Sequence, residues 1–428
     1  MTTTSTRQHS KRWLLSCFLF FLGWVMMYAD RSILSPVQEL VREQFGLRNS
    51  TVGLISSVFF IVYAIAQIPS GILGDRMGRI KLITVGFVIF GIATLLTGVT
   101  GLMHVFVLFL LMRAAAGLGE GLYYGPQFAK SNEITPTHYR ALGAAIINSG
   151  QGVGIAVGIM ASSFIAFDLQ FGWPWAFIIF GALTLVVGLL IALGIPDSKP
   201  TQTPAKLSDE LRRFGALLRN RTLLGTFIML FCGVYTFFVM VTWLPTYLHT
   251  AFHMSLGKAS SISSIAFWLA VPAGMLMGYF SDRLRRRRAF VVILTPLTIV
   301  SVLVMAFAPN IPTLMVSIVL YGVFGKLSLD PVLISVVADN VPDSQRSSAY
   351  GLYNCIGMIA AILAPYATGA LVDVTGSFQA AFIVSVVLLA TGAVIFFFTY
   401  RPPASPLPSK AVDSPVEQIN HLVQEYTS

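Results

Sequence analysis

Twelve times along its 428 residues the chain gathers an apolar run long enough to cross ~30 Å of hydrocarbon at ~1.5 Å of helix rise per residue. The runs fall near 13–35, 51–74, 82–100, 104–126, 141–166, 174–196, 222–248, 258–281, 289–308, 311–336, 347–371 and 377–400. In lipid each backbone N–H and C=O must find its partner within the element, so runs of this length fold as helices. The pattern predicts an all-α integral membrane protein with no room for a soluble domain. Composition agrees: 55% of residues are hydrophobic and only 11% charged, against about 25% charged in soluble globules. The net charge of +10 does not indicate nucleic acid, because the basic residues sit in short connections and form no single solvated stripe. Cys17, Cys232 and Cys355 lie inside apolar runs, which leaves neither a disulfide framework nor a Cys-x-x-Cys metal site, and no metal is expected.

The first run, Trp13 to Leu34, is too long for a signal-peptide core and reads as a retained span. Residues 1–12 read as a disordered tail, 13–196 and 222–400 as two six-helix bundles, 197–221 as a linker and 401–428 as a second disordered tail. Among the loops that would face away from the termini, only Arg42, Arg48 and Lys258 are basic, whereas the other loops and the tails hold most of the 28 Lys and Arg. By the positive-inside rule both termini are then cytoplasmic, in a multi-pass protein of the plasma membrane, a bacterial inner membrane. The halves also repeat. Gly71-x-x-x-Asp75-Arg76 recurs as Gly278-x-x-x-Asp282-Arg283, and Pro136-x-x-x-Arg140 as Pro342-x-x-x-Arg346, at nearly one offset. Internal duplication of this kind is how many secondary transporters are built, with the site at the midplane between repeats.

The fourth run carries the strongest functional signal. Arg113, Glu120 and Tyr124 fall within ~20° of one another on a helix, and Gly117, Gly121 and Gly125 follow nearly the same face at a spacing that admits a close neighbour. A charge at the bilayer centre costs about 2.5–3.5 kcal/mol, so the stripe must face protein or a wet cavity. Arg113 and Glu120 are expected to pair with one another in part. Arg31 and Asp30 place a second arginine and acid at mid-membrane in the first run. Lys326 and Asp330, four apart in the tenth run, read as a pair that neutralises itself.

The loop Gly71-Ile-Leu-Gly-Asp75-Arg76-Met-Gly78-Arg79-Ile-Lys81 closely resembles the signature loop of the major facilitator superfamily, and the twelve spans extend the match over about residues 13–400. That resemblance implies the major facilitator fold, two pseudo-symmetric six-helix bundles, with Gly71, Asp75, Arg76, Gly78 and Arg79 latching the halves. Within the superfamily the chain is similar to the anion:cation symporter family of sugar-acid, hexuronate and phthalate permeases and vesicular glutamate transporters. Tyr28-Ala-Asp30-Arg31, the set Arg113, Glu120 and Tyr124, and Trp243-Leu-Pro245-Thr-Tyr247 carry this resemblance. Met27, Gly233 and the Lys326/Asp330 pair depart from the family pattern. By resemblance, Tyr28, Tyr63, Tyr124, Gln151, Tyr235 and Asn354 would contact the substrate; for Tyr63, Gln151 and Asn354 hydrogen bonding between helices is the alternative reading.

Guanidinium is well shaped to bind a carboxylate through two hydrogen bonds, so Arg31 and Arg113 are expected to hold the substrate anion together. Glu120 is expected to carry a proton: an anion on Arg113 competes for the positive charge that keeps the glutamate ionised. Asp30 is either a second proton carrier or the residue that orients Arg31. The expectation is alternating-access symport of a small organic anion with a proton, by a monomer in a lipid bilayer, with no cofactor and no nucleic acid. Rival readings are proton-driven efflux of amphipathic compounds and a transporter-like ligand sensor. An enzyme is not expected, since no phosphate loop, His-Glu-x-x-His pair or Gly-x-Ser-x-Gly elbow is present.

Overall fold

The protein is described here by a computed structural model covering residues 3–136, 139–197, 214–284, 286–342 and 345–402, without the side chains of 3–12 and of a few later helical positions, Gly71 and Asp75 among them. Among the described residues, twelve helical crossings stand where the apolar runs predict them. The first half comprises α1 (Thr3–Phe45), α2 (Asn49–Met77), α3 (Arg79–Leu102), α4 (Phe106–Gly121), α5 (Tyr124–Ile134), α6 (Arg140–Ser163) and α7 (Trp173–Gly194). The second comprises α8 (Arg221–Phe252), α9 (Leu256–Leu284), α10 (Arg287–Ala306), α11 (Ile311–Phe324), α12 (Lys326–Asp339), α13 (Arg346–Thr375) and α14 (Phe378–Thr399). Helix α1 starts at Thr3, so most of the stretch read as a disordered tail continues the first helix. The predicted linker and C-terminal tail lie mostly outside the described residues.

The fourth crossing of each half is two helices, not one. α4 stops at Gly121 and α5 resumes at Tyr124, while α11 stops at Phe324 and α12 resumes at Lys326 after the extended Gly325. Hydropathy ended the fourth span at 126, but α5 carries it on to Ile134 through Lys130, Ser131, Asn132 and Glu133. Within the first bundle α1 packs on α6, α3 on α7, and α2 on α4. The same scheme in the second pairs α8 with α13 and α10 with α14.

Across the seam α2 meets α13, α6 meets α9, and α1 meets α8. These contacts concentrate at the end remote from the chain termini. There Asp373 of α13 accepts hydrogen bonds from the backbone amides of Asn49 and Ser50 at 3.0 and 2.8 Å, capping the first turn of α2. The Asn49 side chain adds a third at 3.0 Å. A Cβ at Gly53 would overlap the carbonyl oxygen of Pro365, and one at Gly369 that of Asn49, so glycine on each helix lets the backbones touch. Ser57 donates to the carbonyl of Ile362 at 2.6 Å, and on the adjoining pair of helices Ser35 donates to that of Thr242 at 3.0 Å. Gln38 and Thr246 share a further bond. The bundles are therefore shut against each other at the remote end.

Candidate functional site

The polar stripe of α4 faces protein, as its glycines predict. Arg113 and Glu120 are only 2% and 1% exposed. A Cβ at Gly117 would overlap the carbonyl oxygen of Phe59, and one at Gly121 would crowd Ala66 and Tyr63, so α4 lies directly on α2. From there its charged side chains reach α1. Arg31 Nε and Nη2 each stand 2.8 Å from Glu120 Oε2, while Arg113 Nη1 stands 2.8 Å from Asp30 Oδ2. Thr94 of α3 donates to the other Asp30 oxygen at 2.9 Å.

The pairing is crossed relative to the sequence expectation. Glu120 is held by Arg31 and not by its helix neighbour Arg113, and Asp30 orients Arg113 and not Arg31. The two pairs also differ in surroundings. Arg113 lies behind the seam, 4.9 Å from the ring of Phe59 and 5.6 Å from that of Phe177, among α2, α3 and α7. Arg31 lies at the seam, 4.7 Å from the rings of both Tyr28 and Tyr63, and 5.5 Å from Phe60. Phe60 in turn meets Phe238 of the second bundle edge-on at 4.7 Å. Arg31 thus lies beside a contact with the second bundle, whereas these neighbours of Arg113 all belong to the first. Glu120 Oε1 has no hydrogen-bond partner among the described residues, which leaves its lone pairs for a proton.

Around Arg31 the tyrosines form a cage. Tyr28 stacks on Trp24 at 5.5 Å, and Tyr124 meets the same indole edge-on at 5.9 Å. The Trp24 Nε1–H donates to Gln127 at 3.0 Å, which fixes the indole. The Tyr63 hydroxyl accepts from Gln67 at 3.3 Å, and Gln67 accepts from Asn354 of α13 at 2.7 Å. Asn354 is therefore wired across the seam to the Arg31 cage through Gln67, a residue the sequence reading missed. Its position four after Tyr63 in an apolar helix is the signal that could have found it. Gln151 is half-buried on α6, between Gly150 packed on Trp24 and Gly152 packed on Val271 of α9, and so sits at the seam. Tyr235 is 5% exposed and tilted against Phe231 of its own helix. Trp243 and Tyr247 serve packing, donating to the carbonyls of Pro365 and Met305 at 3.2 and 2.8 Å.

On the second bundle Lys326 and Asp330 form the predicted ion pair. Tyr353 donates to Asp330 at 3.0 Å. At the end bearing the termini, the expected latch loop has Gly78 at φ +100°, where the Asp197 carboxylate packs against it and accepts from the Ile80 amide at 2.9 Å. Arg79 pairs with Glu133 at 3.0 Å, and Arg287 with Asp339 at 3.2 Å, so each half ties the start of its third crossing to the end of its fourth. Arg76 is exposed, and at Gly71 and Asp75 only the helical backbone is described.

Twelve crossings, two alike bundles and a charged cluster at their seam define a membrane transporter, not an enzyme. The Major Facilitator Superfamily profile matches residues 20–266 and 247–424, and the chain belongs to that superfamily. It is 28% identical to a "Probable L-galactonate transporter" of Escherichia coli K12, over 90% of this chain and 88% of that one. It is 27% identical to a "Probable galactarate/D-glucarate transporter GudP" of Bacillus subtilis 168, over 89% and 90%. Among solved structures, a D-xylose-proton symporter superposes with a TM-score of 0.75 at 14% identity, covering 92% of this chain and 99% of that one.

Proposed function

We propose that the chain carries a small organic acid, of the sugar-acid type, across the membrane together with a proton by alternating access. The observation that supports this reading best is the Arg31–Glu120 pair at the seam, buried to 3% and 0% side-chain exposure inside a cage of tyrosines. A buried ion pair stays in place only while each charge compensates the other. An incoming carboxylate that takes the Arg31 fork through two hydrogen bonds removes the counter-charge of Glu120. Glu120 then accepts a proton on the unpartnered Oε1, and anion and proton move together. Arg113 and Asp30 act behind this site, holding α1 and α4 at the distance the exchange requires. Tyr28, Tyr63 and Tyr124 supply hydroxyls to the substrate's own hydroxyl groups, and Gln67 with Asn354 registers the second bundle against it. With the remote end shut, substrate exchange in this state runs toward the end bearing the termini, which the basic loops assign to the cytoplasm.

Uptake of a radiolabelled sugar acid into proteoliposomes under an imposed pH gradient tests the reading. Accumulation that collapses with a protonophore is expected, and Arg31→Lys, which keeps the charge but loses the planar fork, is expected to abolish it. Normal accumulation by that variant refutes carboxylate binding at Arg31.

A further inference from the structure

The function proposed above leaves the Lys326–Asp330 pair without a task, and three observations distinguish it from a pair that only balances its own charge. First, Asp330 stands near the tyrosine cage of Arg31: Tyr28, 4.7 Å from the Arg31 guanidinium, is also within electrostatic reach of Asp330, as is Tyr124. Second, it is more open, with side chains 12% and 18% exposed against 3% and 0% for Arg31 and Glu120. Third, a small gap beside Lys326, inside the second bundle, holds the hydroxyls of Tyr321 and Thr295, both buried and both without a hydrogen-bond partner among the described residues. Thr236 and Thr298 complete that lining.

Two details suit Lys326 to an anion. Lys326 opens helix α12, so its ammonium lies at the positive end of the helix dipole, a place that favours negative charge. Asp330 has the Tyr353 hydroxyl as a second partner at 3.0 Å, so Lys326 can leave it without stripping it bare. We propose that Lys326 binds a second acid group of the substrate, so that the preferred cargo is a dianion spanning the seam from Arg31 to Lys326. The inference rests on Arg31 holding the first carboxylate. It bears on a point the relatives leave open, since galactonate carries one acid group and galactarate two. Each acid group displaces one carboxylate, Glu120 or Asp330, and each displaced carboxylate gains a proton, so dianion and two protons cross with no net charge.

The test is a comparison of galactarate with galactonate, which differ only in a carboxylate or a hydroxymethyl group at one end, in proteoliposomes of the full chain. For the wild type, a galactarate KM roughly tenfold or more below that of galactonate is expected from one added charge-assisted contact. The double variant Lys326→Gln/Asp330→Asn keeps a neutral hydrogen-bonded pair. It should bring the two KM values together while still transporting galactonate, which reports that it has folded. Should it transport neither, Lys326→Arg decides: retained preference for galactarate supports the proposal, and lost preference overturns it. An unchanged KM ratio in the double variant, or wild-type preference for galactonate, also overturns it and leaves the Arg31 reading standing. Wild-type transport of neither acid, or of both by Arg31→Lys, refutes the Arg31 reading and this inference with it.

Discussion

Replacing Asp373 by Asn should loosen the remote seal while leaving the bundles folded. The carboxylate accepts three hydrogen bonds at 2.8–3.0 Å from Asn49 and Ser50, two of them from backbone amides at the start of α2. A carboxamide keeps one acceptor oxygen but turns an NH2 toward amides that also donate, and it loses the negative charge favoured at a helix N-terminus. The charge term is worth about 0.3–1 kcal/mol, and a lost charge-assisted bond about 1.5–3 kcal/mol. Arg48, at 3.7 Å and 76% exposed, adds little. A total of about 2–4 kcal/mol corresponds to a ~30- to 900-fold rise in the population open at the remote end. The assay is thiol labelling of Ser57→Cys, in a chain whose three cysteines are serine, by an impermeant reagent applied to that side. Ser57 is 3% exposed and lies against Ile362, so it reacts only when the seam parts. While the open state is the minor one, the labelling rate is proportional to its population, and comparing the chain with and without Asp373→Asn cancels the cost of the probe itself. A rate within twofold of the parent in both Asp373→Asn and Asp373→Ala would refute the assignment of Asp373 as a latch.

Glu120→Gln should abolish pH-driven accumulation yet retain substrate counterflow, because exchange needs the anion site but no net proton movement; equal loss of both would count against Glu120 as the proton carrier. Asp30→Asn leaves Arg113 buried without its counter-ion, and breaking such a pair costs about 3–5 kcal/mol. Its signature should be a lower melting temperature with little change in the KM of the surviving transport, whereas a large KM change at unaltered stability would place Arg113 in contact with substrate. Gly369→Val should hold α2 and α13 apart at the remote end and raise Ser57→Cys labelling without any change of charge; an unaltered rate would show that the seam tolerates a side chain there.

The crossings were legible because lipid imposes one rule on every backbone group, and hydropathy reads that rule directly. The stripe on α4 was legible for the same reason: Arg113 and Glu120 have no place in lipid, so their helix face had to be buried. Which acid meets which arginine was not legible. Spacing along α4 made Arg113 and Glu120 neighbours, but the choice of partner depends on how far α1 stands from α4 and how each is rotated, and those follow from glycine contacts with α2. Arg113 lies against Phe59 and Phe177 and pairs with Asp30, a partner its spacing along α4 does not reveal. The break at Leu122 and Tyr123 escaped notice because hydropathy records side chains and not the backbone. Asp373 and Gln67 each left a trace, a lone polar residue near the end of an apolar run, which gains meaning only once the opposite bundle is in place.

Glu120 and Lys326 lie 206 positions apart, as do Pro136 and Pro342, so duplication has put an acid and a base in the same slot at the joint of the fourth crossing. On the roles proposed above, one copy drives and the other selects. With the roles so divided, cargo can be swapped by editing the later copy while the earlier one stays untouched. A single undivided bundle, in which every change of taste also disturbs the drive, has no such freedom.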